Sequence, residues 1–352
     1  MSHQNIDDIL EELADLEDIP PVRNMPPPRN RAGQKHKPPG KLKQPAEQVI
    51  EQLMEQEDGQ SSFNFTYHAS RHERLWLVNS LGDFYEHQWL DDVLRLVKGG
   101  KEANVYQCRA NASVAGLKQP LIAAKLYRPR QFRALKKDYV YRERRANLDS
   151  DGNLIGDDGR LHAIEKRTTY GLDLLQTSWI EYEFQALSVL HSAGADVPVP
   201  LERGNNVILM SFVGDEEMAA PTLNSIELHP KEARRLFERV LHNVDLMLAH
   251  NRVHADLSAY NILYWEGEIT LIDFPQVIDP QVNPQAFKIF ERDIIRVCEY
   301  FGRQGVKSNP RRLAADFWRA YHHRITPEIH PALLNADDEA DRAYWQKSLG
   351  GG

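Results

Sequence analysis

The stretch that most limits how this chain can fold is His254-Ala255-Asp256-Leu257-Ser258-Ala259-Tyr260-Asn261-Ile262-Leu263, followed by Leu271-Ile272-Asp273-Phe274. Residues 261–265 and 268–272 are two short apolar runs separated by Glu266-Gly267, which is a hairpin signal. A hairpin there returns Asp273 to the neighbourhood of Asn261. The Asp-x-x-x-x-Asn spacing lets one loop present the Asp256 carboxylate while the Asn261 amide stands at the start of the next strand.

Taken singly, each of these residues is an ordinary loop residue; together they form a donor set. Transfer of a γ-phosphoryl group asks little covalent chemistry of a protein. It asks for a carboxylate at the attacking group and for oxygen ligands that hold Mg²⁺ against the phosphates. Mg²⁺ keeps several waters and takes one or two protein oxygens, so Asn261 and Asp273 suffice as ligands, with Asp256 as the catalytic carboxylate. His254 is read as a buried residue that holds the loop, not as a base.

Upstream, Val97-Lys98-Gly99-Gly100-Lys101-Glu102-Ala103-Asn104-Val105-Tyr106 places paired glycines between two extended segments, where backbone can approach phosphates closely. It lacks the GxGxxG spacing of most protein kinases. Residues 121–127 read as an apolar strand carrying one lysine, Lys125, which in the kinase arrangement binds the α- and β-phosphates and pairs with a helix glutamate. Residues 179–190 supply that helix, with Ile180, Phe184, Leu187 and Leu190 on one face. Glu183 is the first candidate partner and Glu181 the second. The apolar run 206–214 predicts a strand leading to a hinge whose backbone binds adenine. Residues 230–250 predict a long helix that delivers the chain to His254, and further helices are predicted over 285–303 and 310–323.

The whole chain can hold two lobes or domains, and its composition is that of a soluble globular protein: 352 residues, 41% apolar and 27% charged. Cys108 and Cys298 make no disulfide framework and no cluster has zinc spacing, so a reducing, cytoplasmic setting is expected. No apolar run is long enough to span a membrane, and the acidic start is unlike a signal peptide. The net charge of −8 is unevenly placed. Residues 1–18 hold seven acids and no Lys or Arg, whereas residues 19–43 hold seven Lys and Arg and no acid, among many prolines. Residues 125–145 carry nine basic residues against two acids. These two basic stretches are the candidate contacts for RNA or another polyanion.

The expected organisation is an acidic then basic, largely disordered extension over 1–60 and a helical lead-in over 61–91. A small-sheet lobe follows over 92–214, with a long polar connection over about 128–178, then a reduced helical lobe over 215–325 and a tail over 326–352. Only 79 residues follow Asp273, which leaves little room for a large peptide-docking subdomain.

With these motifs in place, the chain resembles the RIO family of atypical protein kinases and ATPases. Gly100 to Tyr106 is similar to that family's nucleotide loop, His254 to Leu263 to its catalytic loop, and Ile272-Asp273-Phe274-Pro275-Gln276 to its metal-binding segment. The resemblance covers about residues 92–305. It implies an α+β, two-lobed, protein-kinase-like fold with a small antiparallel-sheet N-lobe and a reduced helical C-lobe. It also implies binding of ATP with Mg²⁺, Mn²⁺ being an alternative, and transfer to serine or threonine of a protein substrate, with autophosphorylation and ATP hydrolysis.

Carried over by position, Gly99, Gly100, Lys101, Val105 and Lys125 hold the nucleotide and Glu183 orients Lys125. Met210 lines the adenine pocket, and the Ser211 and Val213 backbone binds the base. Asp256 is catalytic, and Asn261 and Asp273 hold metal. Some members form a phosphoaspartate at the metal-binding aspartate, which makes Asp273 an acceptor during turnover. Ser258 stands where most protein kinases have a lysine. Val97-Lys98-Gly99-Gly100 replaces the Ser-Thr-Gly of many members and is more like bacterial ones. Two other readings compete: a small-molecule phosphotransferase of the aminoglycoside or choline type, which shares His-x-Asp-x-x-x-x-Asn, and a nucleotide-gated ribosome-assembly factor.

Overall fold

Residues Leu121–Tyr127 are buried at every position except Lys125, and this strand anchors the first of two compact units, Met1–Arg133 and Ala134–Gly352. The computed structural model describes residues 63–100, 102–128, 145–204 and 206–321. The extension over 1–60, Lys101, most of the basic stretch 125–145 and the tail over 326–352 lie outside the described residues.

In the first unit, helix α1 (Arg71–Glu86) starts where Ser70 Oγ accepts the Glu73 N–H, and it buries Leu77, Leu81 and Phe84. Strands β1 (Leu90–Gly99), β2 (Ala103–Ala110) and β3 (Leu121–Tyr127) follow as an antiparallel meander. The β2–β3 ladder is regular and sets Val105 opposite Lys125. The β1–β2 ladder has three register shifts and ends at Gly99 opposite Asn104, so the paired glycines open directly off the sheet.

In the second unit, helices α2 (Asp158–Glu165) and α3 (Thr169–Ser192) precede a short hairpin of β4 (Pro200–Arg203) and β5 (Val207–Ser211). Helix α4 (Pro230–Ala249) then leads through residues 250–261 to the hairpin β6 (Ile262–Trp265) and β7 (Glu268–Leu271). Helices α5 (Ala286–Arg303) and α6 (Pro310–Ala320) complete it. Pro230 and Pro310 occupy first-turn positions, where a missing N–H costs nothing. The core of α4 and α5 is aliphatic and aromatic, with Leu236, Val240, Val244, Ile294, Val297 and Phe301 each at most 1% exposed. Each such side chain contributes roughly 1.5–3 kcal/mol of burial.

The elements are the α+β mixture anticipated from the motifs, antiparallel strands with helices in each unit. The polar connection over 128–178 differs from its reading, because it contains α2 and the first ten residues of α3, which starts at Thr169 and not near Trp179. Thr168 caps α3 by accepting the Gly171 N–H, and Gly171 is the reason the two helices fit. A Cβ there would lie 1.9 Å from the Ala163 carbonyl oxygen. Within a sequence window this glycine weakens a helix; its value lies in the tertiary contact.

The hairpin of β6 and β7 is tied to α4 through Asp196, beside the contacts of Tyr264 with Glu232 (2.6 Å) and of Arg235 with Glu268 (3.0 Å). Asp196 takes a two-point contact from Arg239 (2.5 and 2.7 Å) and the Asn243 amide (2.7 Å), while its backbone carbonyl accepts the Leu271 N–H at 2.7 Å. The strand that ends beside Asp273 therefore has a fixed register relative to the helix that feeds His254.

Candidate active site

After α4 the chain is pinned by a reciprocal pair of backbone bonds between Val253 and Ile278, both 2.9 Å. His254 is next and only 1% exposed. Its Nδ1 accepts the Asp256 N–H at 3.3 Å, so Nε2 carries the proton and donates it to the Ile272 carbonyl at 3.1 Å. Burial lowers its pKa, outweighing the bond to Ile272 and the charges of Asp273 and Asp256, and the ring is neutral at pH 7. His254 thus fastens the loop that carries Asp256 to the segment that leads into Asp273, and its ring also packs on Phe274 at 4.6 Å.

Two residues beside this fastening have left-handed backbone, Ala255 (φ 67°) and Asp273 (φ 72°). Neither is glycine, and each costs about 1–3 kcal/mol, so the surroundings must enforce the conformation. Asn261 contributes on both sides. Its Nδ2 donates to the Asp256 backbone carbonyl (2.9 Å) and carboxylate Oδ2 (3.2 Å), and its own carbonyl accepts the Ile272 N–H (3.0 Å). Asp256, Asn261 and the segment carrying Asp273 are in this way brought together by one side chain and one turn.

Helix α5 grips the same loop from a third direction, through residues that sequence reasoning missed. Arg292 donates to the Ala255 carbonyl and to Asp293 Oδ1. The Asp293 carboxyl, 2% exposed, accepts the Leu257 N–H. Burial pushes it up to about 7, against the Arg292 charge and these hydrogen bonds, and its Oδ2 has no hydrogen-bond partner. Arg296 donates to Asp256 Oδ1 at 2.8 Å. A readable signal was present: Asp293 interrupts the buried stripe of Ile289, Phe290, Ile294 and Val297, and an acid in such a stripe needs partners.

In the first unit, Gly100 is required by a close approach, since a Cβ there would lie 2.8 Å from the Ala103 carbonyl. Its N–H points to Asn104 Oδ1 at 3.4 Å. The same oxygen accepts from Arg128 (3.1 and 3.3 Å), and Asn104 Nδ2 donates to Tyr106 OH (3.1 Å), which donates to Glu73 on α1 (2.7 Å). Asn104 is 6% exposed and was not among the expected binding residues. Gly99 and Val105 lie on the strands flanking this turn, and Lys101 at its tip is outside the described residues. Lys125 lies in the middle of β3, with its Nζ 5.3 Å from the centre of the Tyr127 ring.

In the second unit, Glu183 is 1% exposed on α3 and accepts the Phe274 N–H at 3.4 Å, one residue past Asp273. Glu181, the second candidate partner for Lys125, is committed to Arg203 and to Gln185 (2.8 Å). Met210 is 8% exposed in β5. The Ser211 N–H is bound by the Val199 carbonyl and the Val213 carbonyl by the Ala220 N–H, both at 2.9 Å. Just beyond, Gly214 (φ 130°) turns where a Cβ would meet the Met218 carbonyl at 2.3 Å.

The donor set suits Mg²⁺. With its amide nitrogen bound to Asp256, Asn261 presents the oxygen end, and Asp273 adds a carboxylate. Two hard oxygens completed by phosphate and water are the ligation this ion takes. Among the described residues no helix is long and apolar enough to cross a membrane.

Comparison with known proteins adds a family match: the RIO domain matches residues 104–313. The chain is 30% identical over 216 residues to the serine/threonine-protein kinase rio1 of Schizosaccharomyces pombe, covering 61% of this chain and 39% of that protein. It is 30% identical over 135 residues to the RIO-type serine/threonine-protein kinase Rio1 of Thermoplasma acidophilum, covering 38% and 69% respectively. A crystal structure of the Rio2 kinase-ADP/Mg²⁺-phosphoaspartate complex from Chaetomium thermophilum aligns with a TM-score of 0.49 and 17% identity, over 87% of this chain and 88% of that one.

Proposed function

The chain belongs to the RIO family, and from that premise we propose that it is an ATP-dependent serine/threonine protein kinase that also autophosphorylates and hydrolyses ATP. The observation that carries this reading is the joining of Asp256, Asn261 and the Ile272–Asp273 segment by hydrogen bonds of 2.9–3.2 Å around a neutral, buried His254. That arrangement offers a carboxylate for the attacking hydroxyl and two oxygen donors for metal.

In this reading Lys125 binds the α- and β-phosphates with Glu183 as its orienting partner. Gly99, Gly100, Lys101 and Val105 cover the phosphates. Met210 lines the adenine pocket, and the Ser211 carbonyl and Val213 N–H bind the base. Asp256 accepts the proton of the substrate hydroxyl. Asn261 and Asp273 hold Mg²⁺, or Mn²⁺ in its place, which when bound neutralises charge on the phosphates. Because Asp273 is itself a carboxylate nucleophile beside that site, it is also the residue on which a phosphoaspartate forms if hydrolysis is the main turnover. Family membership supports the protein-kinase reading over the aminoglycoside- or choline-type alternative.

Labelled γ-phosphate ATP tests this directly. Mg²⁺-dependent, acid-stable label on protein supports the kinase reading, and hydroxylamine-labile label lost in Asp273→Asn supports the phosphoaspartate cycle. Neither label nor phosphate release overturns both. We further propose that residues 19–43 and 125–145 contact RNA or a ribosomal particle in the cytoplasm. Binding that falls steeply with salt is the expected signature, and salt-insensitive or absent binding contradicts it.

A further inference from the structure

The Asp256 carboxylate is 42% exposed, so packing does not set its rotamer. What fixes it is a pair of hydrogen bonds, one to each oxygen: Asn261 Nδ2 on Oδ2 at 3.2 Å and Arg296 Nη1 on Oδ1 at 2.8 Å. We propose that Arg296 is a positioning residue for phosphoryl transfer, holding Asp256 in the orientation that receives the substrate hydroxyl. The inference rests on the kinase reading above and adds to it a residue far from every motif.

Three facts support the assignment. Arg296 projects from the interior of an 18-residue helix, a rigid platform, and not from a loop. The preceding turn of that helix already holds the residues on either side of Asp256, Arg292 on the Ala255 carbonyl and Asp293 on the Leu257 N–H. Three consecutive loop residues are thus referenced to one helix, and Arg296 supplies the only one of these contacts that reaches the carboxylate. Finally, Ala255 carries a left-handed backbone just before Asp256, so the direction of the following side chain depends on contacts that keep the turn in place.

Asp256 and Arg296 are 42% and 40% exposed, and an ion pair this open adds little to folding stability. Its loss should therefore be read in turnover. Misplacing a reacting group by about 1 Å costs up to roughly a hundredfold in rate.

The test uses the full chain and four variants: Arg296→Gln, Arg296→Lys, Asp256→Asn and the Arg296→Gln/Asp256→Asn double variant. Label transfer from γ-labelled ATP, Mg-ATP affinity and melting temperature are measured for each. The expected result is that Arg296→Gln lowers turnover about ten- to a hundredfold, with Mg-ATP affinity and melting temperature close to wild type. Arg296→Lys recovers part of the loss, and Arg296→Gln adds no further loss in the Asp256→Asn background. Turnover of Arg296→Gln at or above wild type overturns the inference, as does an equal loss in both backgrounds. Should Arg296→Gln melt early, Arg296→Lys decides: it keeps the charge on a different geometry, and wild-type turnover with weakened folding assigns Arg296 to stability alone. If wild type transfers no more label than Asp256→Asn, the kinase reading fails and this inference with it. If wild type is active and Arg296→Gln matches it, only the inference fails.

Discussion

The loop after β1 and the loop after α4 both hold candidate site residues, yet they are held in different ways. Around Gly100, one neutral side chain, Asn104, gathers the turn, and its further contacts run outward through Tyr106 to Glu73. Around Asp256, a buried imidazole, a buried carboxyl, two arginines and an amide hold consecutive residues from separate elements. On the proposed function, the first turn admits a phosphate chain and benefits from give, whereas the Asp256 carboxylate meets one hydroxyl and benefits from being over-determined. The contrast teaches that the two loops should respond to mutation in different observables.

The largest expected effect is at the over-determined loop. Asp256→Asn keeps the shape and removes the proposed proton acceptor, and transfer should fall by about a thousandfold or more, within the usual worth of a general base plus its positioning. Steady-state phosphorylation measures it; a loss below tenfold would remove the carboxylate from the chemistry.

Next is Asp293, where the effect appears in stability and carries a pH sign. Its native pKa of about 7 lies above the ordinary aspartate value near 3.9. The native state therefore binds this proton more tightly than the unfolded chain does. The resulting stability is full below about pH 4 and is lost as pH rises through about 7, by up to about 1.4 kcal/mol per pH unit. Asp293→Asn has no such proton, so its stability relative to wild type should rise between pH 5 and pH 8 in urea unfolding. Parallel pH slopes for the two proteins would contradict the assignment.

On the lightly held side, Gly100→Ala forces a Cβ against the Ala103 carbonyl at 2.8 Å. The turn yields, and Mg-ATP affinity should weaken roughly tenfold, the equivalent of about 1.4 kcal/mol, while the catalytic step for bound ATP stays near wild type. A fall in that step with unchanged affinity would reverse the comparison. Smallest is Tyr106→Phe, which cuts the relay from Asn104 to Glu73 at the cost of one net hydrogen bond, about 1 kcal/mol. A few-fold weakening of nucleotide binding by calorimetry is expected, and a loss in turnover as large as that of Asp256→Asn would mean that α1 governs catalysis.

Legibility from sequence followed the range of the contacts. The hairpin of β6 and β7, the Asp256–Asn261 offset and the run ending at Asp273 are local patterns, and the fold displays them as read. The role of His254 as a fastening was also readable, because a histidine between apolar neighbours before a loop acid is placed for burial. Arg296 was not, since it meets Asp256 across 40 residues and nothing in its own helix marks it. The early start of α3 escaped for a related reason: Gly171 has its purpose in the approach of Ala163, which no window of residues shows. Asn104 stood inside a motif that was read for its glycines, and its hydrogen-bonding role emerged only when β2 and β3 were paired.

The central claim is that the over-determined loop performs the chemistry while nucleotide binding is set elsewhere. Its most direct test is a paired measurement on wild type and Asp256→Asn: Mg-ATP affinity by calorimetry and label transfer from γ-labelled ATP on the same preparations. The account predicts affinities within about twofold of each other and transfer reduced about a thousandfold. Transfer retained in Asp256→Asn, or lost only in step with nucleotide affinity, would contradict it.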